Sequence, residues 1–140
     1  MEKAILLWHE SYSVDIQAFD DQHKKLFEVI NVVFAAVTSR KNPASRALLD
    51  VALSEMVEYM KLHFEAEERV MREHAFPEYD AHKKEHDDFA RMVTDIKRRH
   101  DQESEAVTVE LLKSLVTWLD THLNGTDKRY TPYLSALNVK

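Results

Sequence analysis

Apolar residues recur every three or four positions through most of the chain, and short polar stretches interrupt them. This spacing places the apolar side chains on one face of an α-helix. Four such amphipathic stretches follow an N-terminal arm that contains Trp8. The sequence also has only 1 glycine and 3 prolines, so turn-forming residues are scarce. The pattern therefore predicts an all-α protein.

The limits of the four helices follow from capping residues and breaks. The first predicted helix runs from Asp20, as an N-cap, to the break at "SRKNPAS", and the second from about Ser45 to His74. The third runs from about Glu78, after Pro77, to His100. The fourth follows the polar "HDQESE" stretch and runs from Val107 to the stop signal at Asn124 and Gly125. The tail "DKRYTPYLSAL" is expected to add a turn or two of helix. Short loops between four helices predict an up-down-up-down antiparallel four-helix bundle, as a single domain of residues 1–140.

Composition limits the chemistry and the partners. The 140 residues include no cysteine, which excludes disulfides, thiolate zinc sites and iron–sulfur clusters. A net charge of -6 without a basic stripe argues against a nucleic-acid partner. The N-terminal apolar run is too short for a signal peptide, and no stretch approaches the ~20 apolar residues that cross a membrane. We therefore expect a soluble cytoplasmic protein with no membrane partner.

Histidines fall on the apolar stripes of all four predicted helices. These histidines are His23, His63, His82, His86 and His122. Glu67 lies one helical turn after His63 and continues the same stripe. Burying five imidazoles and a carboxylate without strong partners would be very costly, and a metal site removes that cost. In an antiparallel bundle these positions converge at one end. His63 lies well before the end of its helix, so the last turns of that helix are expected to extend past the site.

Asp127 lies five residues after His122. A helix turns ~100° per residue, so residue i+5 points away from residue i. Asp127 is therefore expected to face the site only if the helix ends between the two, with Gly125 in the left-handed conformation. The alternative is an exposed loop aspartate.

The stretch "AHKKEHDDF" also matches the H-x-x-E-H pattern of a zinc hydrolase, with Glu85 as general base. A lone zinc needs only three protein ligands and leaves the other candidates unexplained. Glu85 is therefore interpreted as an exposed helix residue. The three remaining histidines, His9, His74 and His100, are interpreted as surface residues.

In chain order the candidates form H…HxxxE…HxxxH…HxxxxD, a pattern that resembles the hemerythrin family. The surrounding "FDDQHKKLFEVIN", "HFEAEERVMREHAFPEYDAHKKEH" and "WLDTHLNGTDKRY" look like bacterial hemerythrins, and the resemblance covers nearly the whole chain. One departure is Asp15, where the bacterial proteins often have glycine.

The resemblance implies two non-haem iron ions. One would take His82, His86 and His122 and the other His23 and His63, with Glu67, Asp127 and an oxide or hydroxide as bridges. If both irons are octahedral, one coordination position remains, on the iron with two histidines, and dioxygen is its expected ligand. The residues at the family's apolar oxygen pocket are Leu26, Phe64, Trp118, Leu119 and Leu123.

That pocket contains no acid or base, which counts against enzymatic turnover and gives no catalytic residue. The expected function is reversible dioxygen binding for storage, transport or delivery. Two alternatives stay open: an oxygen or redox sensor acting in trans on an unidentified delivery or signalling partner, and a di-iron oxidase or peroxide-consuming enzyme. Imidazole and carboxylate ligands also suit zinc and manganese.

Overall fold

The computed structural model describes residues 6–38, 43–102 and 109–139. The helices in order are α1 (Gln17–Thr38), α2 (Pro43–Glu73), α3 (Tyr79–Asp101), α4 (Val109–Thr121) and α5 (Asp127–Ala136). The first four form the predicted up-down-up-down antiparallel bundle, and the described residues contain no strand. None of the described helices combines the length and apolarity that crossing a bilayer requires.

The limits of α2 and α3 lie within two residues of the predicted ones. The predicted break "SRKNPAS" spans residues 39–45, of which 39–42 lie outside the described residues and 43–45 already belong to α2. The predicted position of Val107 also lies outside the described residues. The predicted tail is α5, which is 10 residues long.

The start of α1 was predicted wrongly, because Asp20 is not its N-cap. The helix begins at Gln17, and Asp20 lies inside its first turn. The carboxylate of Asp20 instead accepts hydrogen bonds from the Val14 N–H (2.9 Å) and the Ser13 hydroxyl (2.6 Å). Asp20 therefore fixes the N-terminal arm against α1. An aspartate before an apolar stripe gives the same sequence signal whether it caps the helix or bonds the preceding arm.

Three of the described residues outside the helices adopt the left-handed conformation that glycine adopts without strain: Asp15, Ala75 and Asn138 (φ 62°). Asp15 has φ 60° and lies between the N-terminal arm and α1. Ala75 has φ 53° and ends α2. The Ala75 N–H donates to the carbonyl of Arg72 (3.1 Å) and the Phe76 N–H to that of Met71 (2.9 Å), which is the hydrogen-bond pattern of a Schellman motif.

Two apolar clusters divide the interior. The larger one contains, among others, Leu26, Ile30, Met56, Met60, Phe64, Phe89, Val93, Leu115 and Leu119. The smaller one is formed by Val14, Ile16, Phe19, Met71, Phe76, Tyr130 and Leu134. Along α1, His23 lies between Phe19 of the smaller cluster and Leu26 of the larger one, and along α2, Glu67 lies between Phe64 of the larger cluster and Met71 of the smaller one. As predicted, α2 extends past the ligands, and with α5 and the N-terminal arm it closes the end of the bundle over them.

Candidate metal centre

All seven residues predicted as ligands meet inside the bundle, and each is at most 2% exposed. Their ligand atoms form two groups in which all atoms lie within 4.8 Å of one another. The groups are Glu67 with His82, His86, His122 and Asp127, and Glu67 with His23, His63 and Asp127. Both carboxylates belong to both groups, so the arrangement has the form of two adjacent cation positions with two shared ligands.

Glu67 belongs to both groups because its carboxylate lies against histidines of each. Oε1 lies 3.1 Å from His63 Nε2 and 3.3 Å from His86 Nε2. Oε2 lies 3.8 Å from His23 Nε2. His63 precedes Glu67 by one helical turn of α2, so the two side chains share the inward face of that helix.

Asp127 occupies the equivalent position opposite Glu67. Its Oδ1 lies 2.9 Å from both His82 Nε2 and His122 Nε2, and its Oδ2 lies 3.4 Å from His23 Nε2. The Asp127 side chain is fully buried, which is not compatible with an exposed loop aspartate.

The backbone between His122 and Asp127 differs from the predicted one. Gly125 does not adopt the left-handed conformation, and the helix does not end there. Residues His122–Thr126 form a π-helical turn, in which the Asp127 N–H donates to the His122 carbonyl. An i→i+5 hydrogen bond places residue i+5 over residue i, as the i→i+4 bond does in an α-helix. Asp127 therefore returns to the face of His122 without a break in the helix.

Several buried polar atoms in this cluster have no hydrogen-bond partner among the described residues. They are His23 Nδ1 and Nε2, His63 Nε2, Glu67 Oε1, His82 Nδ1 and Nε2, and both Asp127 oxygens. The nitrogens and oxygens lie close together, but their orientations do not align donors with acceptors. A buried polar atom without a partner costs about 1–3 kcal/mol, so this many in one place is a large penalty. Cations between the Nε2 nitrogens and the carboxylate oxygens would remove the penalty for those atoms, and imidazole and carboxylate suit iron, zinc and manganese.

Burial and the neighbouring charges shift the protonation of these groups in the metal-free chain. Burial, together with the nearby His63, lowers the pKa of His23 to about 4. Burial also opposes protonation of His122, but the Asp127 carboxylate outweighs it and raises the pKa of His122 to about 9. Although burial alone would raise the pKa of Glu67, the adjacent imidazoles hold that pKa well below its usual range. The carboxylates are therefore ionised and available to cations.

Three of the histidines are oriented by hydrogen bonds to their outer nitrogen, Nδ1. Glu68 Oε2 lies 2.8 Å from His86 Nδ1, Glu85 Oε1 lies 3.0 Å from His122 Nδ1, and Gln22 Oε1 lies 2.6 Å from His63 Nδ1. Such bonds fix the tautomer that leaves Nε2 free for a metal. The prediction that Glu85 is an exposed helix residue was wrong: Glu85 is half-buried, faces His122 Nδ1 and also accepts a hydrogen bond from the Thr126 hydroxyl at 2.7 Å.

Tyr130 also contacts the centre, although it was not among the predicted site residues. Its hydroxyl donates to Glu67 Oε2 at 2.5 Å, and its ring stacks against His82 with 5.6 Å between centroids. Burial and the two carboxylates raise the pKa of Tyr130 well above its usual value, so the hydroxyl remains protonated. The signal was the spacing of Asp127 and Tyr130, which are three residues apart and share one face of α5.

The five predicted pocket residues all lie in or against the larger apolar cluster. Phe64 stacks on the His86 ring (3.8 Å between centroids), and Trp118 stacks on the His122 ring (4.5 Å). Both aromatic rings therefore stack on the three-histidine group, and Phe64 also lies 6.0 Å from the His63 ring of the two-histidine group. Leu26, Leu119 and Leu123 are each 1% exposed.

The three histidines predicted at the surface differ from one another. His9 is exposed and His74 is half-buried. His100 is only 4% exposed, so its prediction as a surface residue was wrong. Its Nε2 lies 2.5 Å from Asp50 Oδ1, which links α3 to α2 far along the chain from the metal ligands. A polar partner on a neighbouring helix cannot be inferred from one helix's periodicity.

Comparison with known proteins gives a consistent result. Residues 14–134 match the family model described as "Hemerythrin HHE cation binding domain". The chain is 32% identical to a bacteriohemerythrin of Stenotrophomonas maltophilia over 95% of this chain and 84% of that protein. It is 31% identical to a hemerythrin-like protein of Naegleria gruberi over 88% of each. A crystal structure of a wild-type hemerythrin superposes with a TM-score of 0.85 at 25% identity, covering 92% of this chain and 97% of that one.

Proposed function

We propose that this chain, which belongs to the hemerythrin family, binds dioxygen reversibly at a non-haem di-iron centre and so stores, transports or delivers it. The observation that carries the proposal is the sharing of Glu67 and Asp127 by two groups of buried ligand atoms. One cation would leave either the two-histidine or the three-histidine group without a partner. Two cations satisfy both groups.

The residues fit unequal roles for the two irons. His82, His86 and His122 would hold one, His23 and His63 the other, and the two shared carboxylates would bridge them with an oxide or hydroxide. The irons would supply a ferrous position for dioxygen on the side that has fewer protein ligands.

The surroundings of the centre favour binding over turnover. The predicted pocket side chains Leu26, Leu119 and Leu123 are apolar and buried, so they exclude water and can neither give nor take a proton. The buried hydroxyl of Tyr130 is engaged by Glu67 and has a raised pKa, which disfavours its use as an acid. We therefore propose a non-enzymatic oxygen-binding protein.

Iron analysis and optical spectroscopy of the purified chain test the proposal. We expect two irons per chain and a spectrum of the reduced protein that changes in air and returns under argon. Glu67→Gln, which keeps the shape of the side chain but removes its charge, should lose iron, whereas Glu65→Gln at an exposed site of the same helix should not. One iron per chain, or a change in air that argon does not reverse, would contradict the proposal.

A further inference from the structure

The outer nitrogens of the ligand histidines have different partners on the two sides of the centre. In the three-histidine group, His86 and His122 each face a carboxylate, from Glu68 and Glu85 respectively. In the two-histidine group, His63 faces the uncharged side-chain amide of Gln22 at 2.6 Å. The two sides therefore differ in charge as well as in the number of histidines.

The amide of Gln22 orients His63 as well as a carboxylate would. Since His63 Nε2 faces Glu67 and the metal position, Nδ1 carries the hydrogen and donates it to Gln22 Oε1. A carboxylate in that place would accept the same hydrogen bond but add a negative charge, which makes an imidazole a stronger ligand. The choice of amide over carboxylate thus changes charge and leaves orientation alone.

The surroundings of Gln22 do not replace the missing charge. Gln22 is half-buried and lines a groove of about 750 Å³ between α1 and α2. The ionised side chains along this groove are balanced, three basic and three acidic: Lys25, Lys61, Arg69, Glu55, Glu58 and Glu65. The field at His63 from this side is therefore set mainly by its direct partner.

We propose that Gln22 is a positioning residue that orients His63 while keeping the two-histidine metal position less negative than the three-histidine position. A ferric ion gains more from a nearby negative charge than a ferrous ion does, because the Coulomb energy scales with the charge. The neutral partner therefore favours the ferrous state at the position proposed to bind dioxygen. This inference rests on the proposed two-metal centre and adds a residue that tunes it.

Cobalt(II) binding to the metal-free full chain tests the inference without dioxygen. Gln22→Glu keeps the size of the side chain, and we expect it to tighten the second cobalt by about tenfold, the lower end of the usual effect of such outer partners. Gln22→Leu removes the hydrogen bond and should weaken the second cobalt by about 10- to 100-fold. Competition with a chelator of known affinity measures both.

The matched control is Leu62→Glu, which adds the same charge to the same groove from a side chain that is 52% exposed. We expect its cobalt affinities to equal those of the wild type. On the iron-loaded chain, Gln22→Glu should lower the reduction potential of one iron. A tenfold change in the ratio of ferric to ferrous affinity corresponds to about 59 mV for one electron. Glu85→Gln should raise the potential of the other iron.

Unchanged cobalt affinity in Gln22→Glu, or equal changes in Gln22→Glu and Leu62→Glu, would overturn the inference. A wild type that takes up no second cobalt would overturn it together with the two-metal centre. If the chain holds two irons but does not bind dioxygen, the proposed function fails. The role of Gln22 would still be supported in that case by the expected cobalt and potential shifts.

Discussion

Replacing Tyr130 by phenylalanine isolates one hydrogen bond to a shared carboxylate. The Tyr130 hydroxyl and Glu67 Oε2 are 2.5 Å apart, and both residues are fully buried. The ring itself packs against His82 and Phe76, with centroids 5.6 Å and 6.5 Å away. Because phenylalanine keeps the ring, the change removes a donor from the carboxylate without opening a large cavity.

The size of the effect follows from the charge of the acceptor. A hydrogen bond to a charged group contributes about 1.5–3 kcal/mol to the free energy of unfolding. Without the tyrosine hydroxyl, the buried Glu67 Oε2 loses this hydrogen bond. For a chain of this length, that loss corresponds to a fall in Tm of roughly 5–12 °C. Since Tyr130 also fixes the orientation of Glu67, metal affinity should fall by about 10- to 100-fold.

Tyr133→Phe is the matched control on the same helix. The Tyr133 hydroxyl donates to the backbone carbonyl of His74 at 2.7 Å, away from the metal ligands. Its loss should cost about 0.5–1.5 kcal/mol and leave metal affinity unchanged. Urea denaturation of the metal-free variants and cobalt competition measure the two effects. The reasoning is refuted if Tyr130→Phe loses no more stability than Tyr133→Phe and binds cobalt like the wild type.

Four further predictions test other parts of the centre. Asp127→Asn removes a shared charge and should reduce iron content, and unchanged iron and spectrum would contradict its role as a ligand. Leu119→Ala should admit water and so speed the decay of the oxygenated spectrum in air. Leu115→Ala, which removes a similar buried volume one turn away, should not speed that decay, and both variants should lose ~2–5 kcal/mol of stability. Gly125→Ala should keep both irons and raise stability by about 0.5–1 kcal/mol, because Gly125 has no positive φ and no atom lies within 4 Å of the added Cβ; destabilisation would support the left-handed cap instead. Because the pKa of His122 is about 9 in the metal-free chain, metal binding at pH 7 should release a proton, and metal affinity should fall as the pH falls. Calorimetry in buffers of different ionisation enthalpy measures the proton release, and finding no released proton would contradict this prediction.

Periodicity predicted the features of the centre that lie within single α-helices. His63 and Glu67 were placed together because residues four apart share a helical face. Contacts between helices were harder to predict, because their signal is not in the spacing of one segment. The bond between Gln22 and His63 joins α1 to α2, and that between Glu85 and His122 joins α3 to the end of α4.

Periodicity also assumes a constant turn per residue, and the extra residue of the π-helical turn breaks that assumption. In an uninterrupted α-helix, Thr126 would follow His122 by one turn and face the metal ligands. With the extra residue, Asp127 takes that inward place, and the Thr126 hydroxyl instead donates to Glu85, the partner of His122 Nδ1. The same shift in phase carries into α5 and places Tyr130 beside Asp127, where it bonds Glu67. The π-helical turn therefore supplies a carboxylate to both groups of ligands and also positions two side chains that support the centre, which accounts for an irregular backbone at this point of the chain.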